Sequence, residues 1–286
     1  MEKRVPWSSR EPASPPVPWA PRWWAVLGVG LALWIASVVV ASLTGNINLI
    51  PAIVMLGSFV VPVTGVVWYL DHDPSPAFGP QLIAYSFIVG GVLGILAASV
   101  LEYWLLTLGI LGTVGVGLIE EFVKALALVM MAWRLASFHP RDGIVLGATV
   151  GFGFAALESS GYAMRAMIID IGGVGVIFSL SSLVFTELFR GLLSPFGHGL
   201  WTAILGGVLF GEARGGRLRI TRAVAATFLG VALLHAAWDT MPAVMVASGG
   251  WGIIGYVAVS VIGLAWLIRL WRRSRSMPAR QKAYGG

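Results

Sequence analysis

Cysteine is absent from the 286 residues, and charged side chains make up only 11% of them. Without a thiol there is no disulfide, no cysteine nucleophile and no thiolate metal site. Hydrophobic residues instead supply 57% of the chain, and its mean hydropathy is +0.85. That is the composition of a membrane protein, because a helix crossing the hydrocarbon core needs about 20 apolar residues. Such stretches recur at 23–43, 48–70, 82–101, 110–134, 143–163, 194–212, 220–240 and 251–271. The expectation is an all-α polytopic transmembrane helix bundle of about eight spans. The 37 glycines suit close helix packing in lipid, and many of the 13 tryptophans fall near span ends.

The ends of the chain lack apolar runs. The first 22 residues, rich in proline and basic, have no adjoining apolar core and no convincing small-residue cleavage site, so they read as a disordered tail and not as a signal peptide. Residues 23–271 form one transmembrane domain, and 272–286 a second basic tail. The pI near 10.1 does not argue for nucleic acid, since the positive charge is gathered in short pieces beside the spans. That placement sets topology and favours contact with anionic lipid.

One apolar segment, 174–193, is ambiguous because it carries Glu187 and Arg190. If it lies at the interface or re-enters, both termini are cytoplasmic, and sixteen of the nineteen Lys and Arg face the cytoplasm. The three exceptions are Lys124, Arg165 and Arg190. If it crossed, the arginines of EARGGRLRITR and the basic C-terminus would face outward, against the positive-inside rule. The reading is therefore a multi-pass protein of the cell membrane with eight spans and a re-entrant or interfacial helix at 174–193.

Ionisable residues inside spans are expensive and mark functional sites. Four constellations stand out: Glu120, Glu121 and Lys124; Glu158; His198; and His235 with Asp239. Followed through the topology, all four reach a similar depth in the outer leaflet, so they can form one site. Lys124 follows Glu120 by four residues and Glu121 by three, which puts all three on one helix face and lets the lysine compensate one carboxylate. Asp239 is one turn from His235 and can orient its imidazole or join it on a metal. Ser194 and Pro195 read as an N-cap and first-turn residue, with His198 in the first turn. Glu187 and Arg190 either line the site or form a local ion pair; His72, His139 and Glu102 read as loop or rim residues.

Several protease signatures are missing. No H-E-x-x-H string occurs, ESSG at 158–161 has glutamate where a rhomboid-like G-x-S-G needs glycine, and GFGF at 151–154 lacks the aspartate of a G-x-G-D site. What remains is carboxylate-activated water, with or without a metal. The succession EEFVK, FAALE, a histidine in PFGHGLWTAILGG, and HAAWD resembles the PrsW family of intramembrane proteases, in the wider group of CAAX-prenyl endopeptidases and bacteriocin-immunity membrane proteins. The resemblance covers about 115–240 and matches the family at Glu120, Glu121, Lys124, Phe154, Glu158, His198, His235 and Asp239. It implies cleavage of membrane-embedded or membrane-proximal protein substrates, such as an anti-sigma factor.

From these residues the expected chemistry has Glu120 as general base on a water, with Glu121 beside it, and His198 and His235 stabilising the oxyanion or binding a metal. Asp239 sets the tautomer of His235, and Glu158 is a second proton-transfer group or a ligand. Two histidines with Glu158 and Asp239 suit zinc, but a metal-free glutamate site suits the same residues. A proton- or cation-coupled transporter is the alternative of another class, and a non-enzymatic membrane partner on the same scaffold a third. Against transport stand the single depth of the polar groups and the lack of an internal repeat or paired broken helices.

Overall fold

The computed structural model describes residues 22–72, 78–106, 112–133, 135, 137–170 and 175–275. The proline-rich N-terminal tail lies outside the described residues except for Arg22, and so does the C-terminal tail beyond Arg275. Residues 272–275 continue the last helix.

The described residues form ten α-helices and one short hairpin. Helices α1 (Trp23–Thr44) and α2 (Ile50–His72) pack together. Helices α3 (Pro80–Ile88) and α4 (Gly94–Leu106) are joined by a π-helical turn, Val89–Leu93, and act as one span. Then follow α5 (Gly112–Ala132), α6 (Pro140–Met167), the antiparallel strands β1 (Ile168–Asp170) and β2 (Val176–Phe178), α7 (Leu180–Leu193), α8 (His198–Gly211), α9 (Arg222–Ser248) and α10 (Gly252–Arg275). Among the described residues, seven helical segments are long and apolar enough to cross a membrane. Helix α5 falls outside that set because Glu120, Glu121 and Lys124 interrupt it; counting it gives the expected eight.

The segment at 174–193 carries helix α7, which with α8 makes one apolar stretch, Leu180–Gly211, long enough to cross a membrane and broken at Ser194–Gly197. Helix α8 alone has 14 residues, about 21 Å, too short for a hydrocarbon core of about 30 Å. Both halves run antiparallel along α6. Gly143 faces Gly206, Gly147 faces Thr202, Gly151 faces His198, and, beyond the break, Ser159 meets Arg190.

Helix α6 is the axis of the bundle, with an almost unbroken run of buried residues from Gly143 to Ala156. Its glycines at 143, 147 and 151 recur every four residues and form one stripe. A Cβ at these positions would lie 2.1, 2.2 and 2.2 Å from the carbonyl oxygens of Gly206, Thr202 and His198. Only hydrogen fits there, as in other small-xxx-small contacts between membrane helices. Gly117 on α5 does the same for α9, where a Cβ would stand 2.6 Å from the Ala232 carbonyl. The close approaches bring α5, α6, α8 and α9 together around one point.

Candidate active site

Glu120, Glu121 and Lys124 share the face of α5 turned to the interior. Glu121 and Lys124 are 0% exposed, as is His235, so every charge there depends on its neighbours. The Lys124 Nζ stands 2.7 Å from Glu121 Oε1 and 3.4 Å from Glu120 Oε2. It therefore compensates both carboxylates, whereas the spacing alone allotted it to one. Its ammonium also lies 4.4 Å from the centre of the Phe154 ring. Phe154 packs in turn against the His198 ring, with centroids 5.2 Å apart.

The two histidines are mounted alike. His235 Nδ1 is 3.0 Å from Glu121 Oε1, and His198 Nε2 is 3.0 Å from Glu158 Oε2. A carboxylate only accepts, so each of those ring nitrogens carries the proton. Lys124 Nζ, which only donates, is 2.8 Å from His198 Nδ1 and agrees with that assignment. The remaining nitrogens, His235 Nε2 and His198 Nδ1, are left with lone pairs 3.5 and 3.9 Å from Glu120 Oε2. Glu121 thus faces the nitrogen that fixes the His235 tautomer, the position expected of Asp239. Asp239 Oδ2 instead approaches Nε2, at 3.3 Å.

Glu120 and Glu158 line a cavity of about 390 Å³ between α4, α5, α6 and α9. Phe154 and Asp239 share its wall, with Glu102, Tyr162 and Arg165 around it. Seen along the helices, the site is deeper than expected. Helix α9 continues to Ser248, so His235 sits 13 residues from its end, about 20 Å, and not beside a terminus at 240. Glu158 is nine residues, about 14 Å, from the end of α6 at Met167. His198 opens α8 in the middle of a broken span. Ser194 belongs to a separate 3-10 turn, Ser194–Phe196, and Gly197 precedes His198 without a side-chain cap, so the expected capping by Ser194 is not what forms.

Glu120, His198 and His235 can each offer one ligand atom, all within 4.8 Å of one another. His235 Nε2 is buried and, among the described residues, makes no well-formed hydrogen bond, with the Asp239 and Glu120 carboxylates 3.3 and 3.5 Å away, so it can turn to a ligand. Two imidazoles and a carboxylate fit zinc. Glu158 and Asp239 are not in this group of three; Glu158 faces the far side of the His198 ring.

Residues 79–267, from α3 into α10, match the family described as PrsW family intramembrane metalloprotease. The chain belongs to the PrsW family. It is 28% identical over 219 residues to Protease PrsW of Geobacillus kaustophilus, covering 74% of this chain and 88% of that protein. It is 26% identical over 184 residues to Protease PrsW of Halalkalibacterium halodurans, covering 61% and 75%. No solved structure matches it. This PrsW chain is a multi-pass membrane protein and an intramembrane peptidase, and α1 and α2 lie outside the matched family region.

All eight residues singled out from the sequence converge. Three more belong with them. Arg190 pairs with Glu158, not with Glu187, whose Oε2 accepts 2.8 Å from Trp34 Nε1. Ser159 accepts from Arg190 at 2.9 Å. Trp201 stacks beside His235 with centroids 4.8 Å apart. Trp201 follows His198 by three residues, a spacing that could have revealed it; nothing in the local sequence connects Ser159 to Arg190 across 31 positions. His139 caps α6 and His72 contacts the Trp68 carbonyl, so both are structural.

Proposed function

We propose that this PrsW chain hydrolyses a peptide bond of a membrane-embedded or membrane-proximal protein segment, with Glu120 as the general base on water. The observation that carries this is the convergence of His235 Nε2, His198 Nδ1 and Lys124 Nζ on one oxygen, Glu120 Oε2, at 3.5, 3.9 and 3.4 Å, in the wall of the cavity. A water there has a carboxylate to take its proton, and the scissile carbonyl has the Lys124 ammonium to meet its developing charge. Glu121 holds His235 in the tautomer that leaves Nε2 free, and Lys124 keeps the two neighbouring carboxylates compatible. Phe154 seals the ammonium from the apolar side.

Glu120, His198 and His235 are the residues that would hold a zinc ion, and with zinc bound Glu120 would serve as its ligand in place of acting as the free base. Bound there, zinc would act as a Lewis acid on the carbonyl and promote ionisation of water. The proton that Glu120 takes from the water is the one it returns to the leaving amine, with Asp239 beside His235 Nε2 on the cavity wall. The substrate class is a single-span regulatory membrane protein, an anti-sigma factor being one such case. The chain resides in the cell membrane with both termini cytoplasmic and the β1–β2 hairpin outside, a reading that rests on sixteen of its nineteen cations.

The test is cleavage of a panel of single-span substrates by purified protein in liposomes, comparing wild type with Glu120→Gln. Loss of roughly 100-fold or more in kcat is expected, since a positioned base contributes about 10²–10⁴. Wild-type rates in the variant would remove Glu120 from the chemistry.

A further inference from the structure

Glu158 Oε2 has two claimants. His198 Nε2 donates to it across 3.0 Å, and Arg190 Nη2 pairs with the same oxygen. Arg190 is itself fixed from several sides: its Nε donates to Ser159 Oγ at 2.9 Å, and its guanidinium lies 4.2 Å over the Tyr162 ring. Ser159 and Tyr162 both belong to the stretch of α6 that carries Glu158. The guanidinium reaches them from α7, the half of the Leu180–Gly211 stretch that lies before the break at Ser194–Gly197.

The break separates Arg190 from His198 by eight residues and a 3-10 turn, with Gly197 held outside the helical region at φ −103° and ψ −128°. Backbone hydrogen bonding alone therefore does not make α7 and α8 a rigid unit. Glu158 joins them, with one oxygen bonded to Arg190 in α7 and to His198 in α8. Arg190 does not line the cavity that holds Glu120; it lines a second one of about 220 Å³, with Ser159, Tyr162, Ser194 and His198, on the other side of Glu158. It therefore does not face the Glu120 cavity and acts there through its neighbour.

We infer that Arg190 is a positioning residue: it pins Glu158 so that this carboxylate orients His198, and thereby withholds Glu158 from service as base or ligand. The inference rests on the proposed reading that His198 works at the reaction centre. The chemistry agrees. A carboxylate whose oxygen is already bound by a guanidinium and an imidazole N–H is a fixed acceptor, the arrangement that sets ring orientation in carboxylate–histidine pairs. Lysine could not replace Arg190, because one ammonium cannot span Glu158 and Ser159 while stacking on Tyr162.

The primary measurement is nitrogen-15 NMR of the histidines in chelator-treated protein, which reports the tautomer whether or not a substrate is cut. The His198 signals are assigned with His198→Gln. Wild type is expected to show His198 protonated on Nε2 alone; Arg190→Ala and Glu158→Gln are expected to give mixed tautomers. Cleavage adds a second readout. Arg190→Ala should lose about 10- to 100-fold in kcat with KM little changed, the usual effect of removing a histidine's outer partner. Millimolar guanidinium should restore part of it through the second cavity, and should restore nothing in Glu158→Gln.

Arg190→Lys carries the same test if Arg190→Ala does not fold, with mixed tautomers and about a tenfold kcat loss expected. An unchanged His198 tautomer in the folded Arg190 variant overturns the inference. Wild type that cleaves nothing counts against the protease reading instead, and leaves the tautomer result to decide on Arg190.

Discussion

Gly151→Ala adds one methyl group, and the structure specifies what it meets. The new Cβ would lie 2.2 Å from the His198 carbonyl oxygen, 2.7 Å from its carbonyl carbon and 2.9 Å from Gly199 Cα. All three are backbone atoms and cannot rotate away. Favourable carbon contacts begin near 3.5 Å, so α8 must recede from α6 by about 1 Å at this level. The His198–Glu158 hydrogen bond, now 3.0 Å, would then stretch past useful length. Overpacking of this kind costs about 1–3 kcal/mol of stability, and a 1 Å misplacement at a reaction centre can cost about 100-fold in rate.

Gly147→Ala and Gly143→Ala provide the comparison. Their Cβ atoms would stand 2.2 and 2.1 Å from the carbonyl oxygens of Thr202 and Gly206, one and two turns further from His198. All three variants should therefore lose similar stability, while loss of kcat should be greatest at Gly151 and least at Gly143. Gly28→Ala, where nothing lies within 4 Å, should match wild type in both. The assays are cleavage kinetics in liposomes and denaturant unfolding of the same preparations. Wild-type kcat in Gly151→Ala, or equal losses of kcat in all three, would refute the claim that this stripe sets the position of His198.

Further outcomes follow from the site. Lys124→Met leaves Glu120 and Glu121 without their shared cation and should cost about 3–5 kcal/mol in unfolding experiments; adding Glu121→Gln should recover part of that, and strict additivity would contradict the shared compensation. Zinc binding, followed by competition with a chromophoric chelator, should weaken more than roughly tenfold in Glu120→Gln, His198→Ala and His235→Ala, but not in Glu187→Gln, whose carboxylate is occupied by Trp34. Single cysteines at Ile169 and Arg214 in this cysteine-free chain should be labelled by impermeant reagents from the outside and the inside respectively. Labelling of both from one side would break the eight-span topology.

The sequence by itself determined the class of the protein. Long apolar runs force helices in lipid because backbone groups must pair within the segment, and the charge asymmetry between loops counts the crossings. It also determined which residues to watch, since few reasons exist to place Glu120, Glu121, Lys124 or Glu158 in such runs. Spacing of three or four residues put Lys124 with its glutamates and His235 with Asp239 on common faces.

Only the tertiary structure decided how those faces are used. Local spacing gave the His235 tautomer to Asp239, but Glu121, 114 positions away, holds the Nδ1 nitrogen. It left Arg190 beside Glu187, but the antiparallel register of α6 against α7 and α8 delivers Arg190 to Glu158 and leaves Glu187 to Trp34. It treated 174–193 and 194–212 as separate objects, although α7 and α8 pack in one antiparallel line along α6. The glycine stripe at 143, 147 and 151 was visible as composition, but its partner and its consequence for His198 were not. The physical reason is common to all four cases. Hydropathy and periodicity describe one helix at a time, whereas a hydrogen bond between helices depends on which small residues let two backbones meet and in what register.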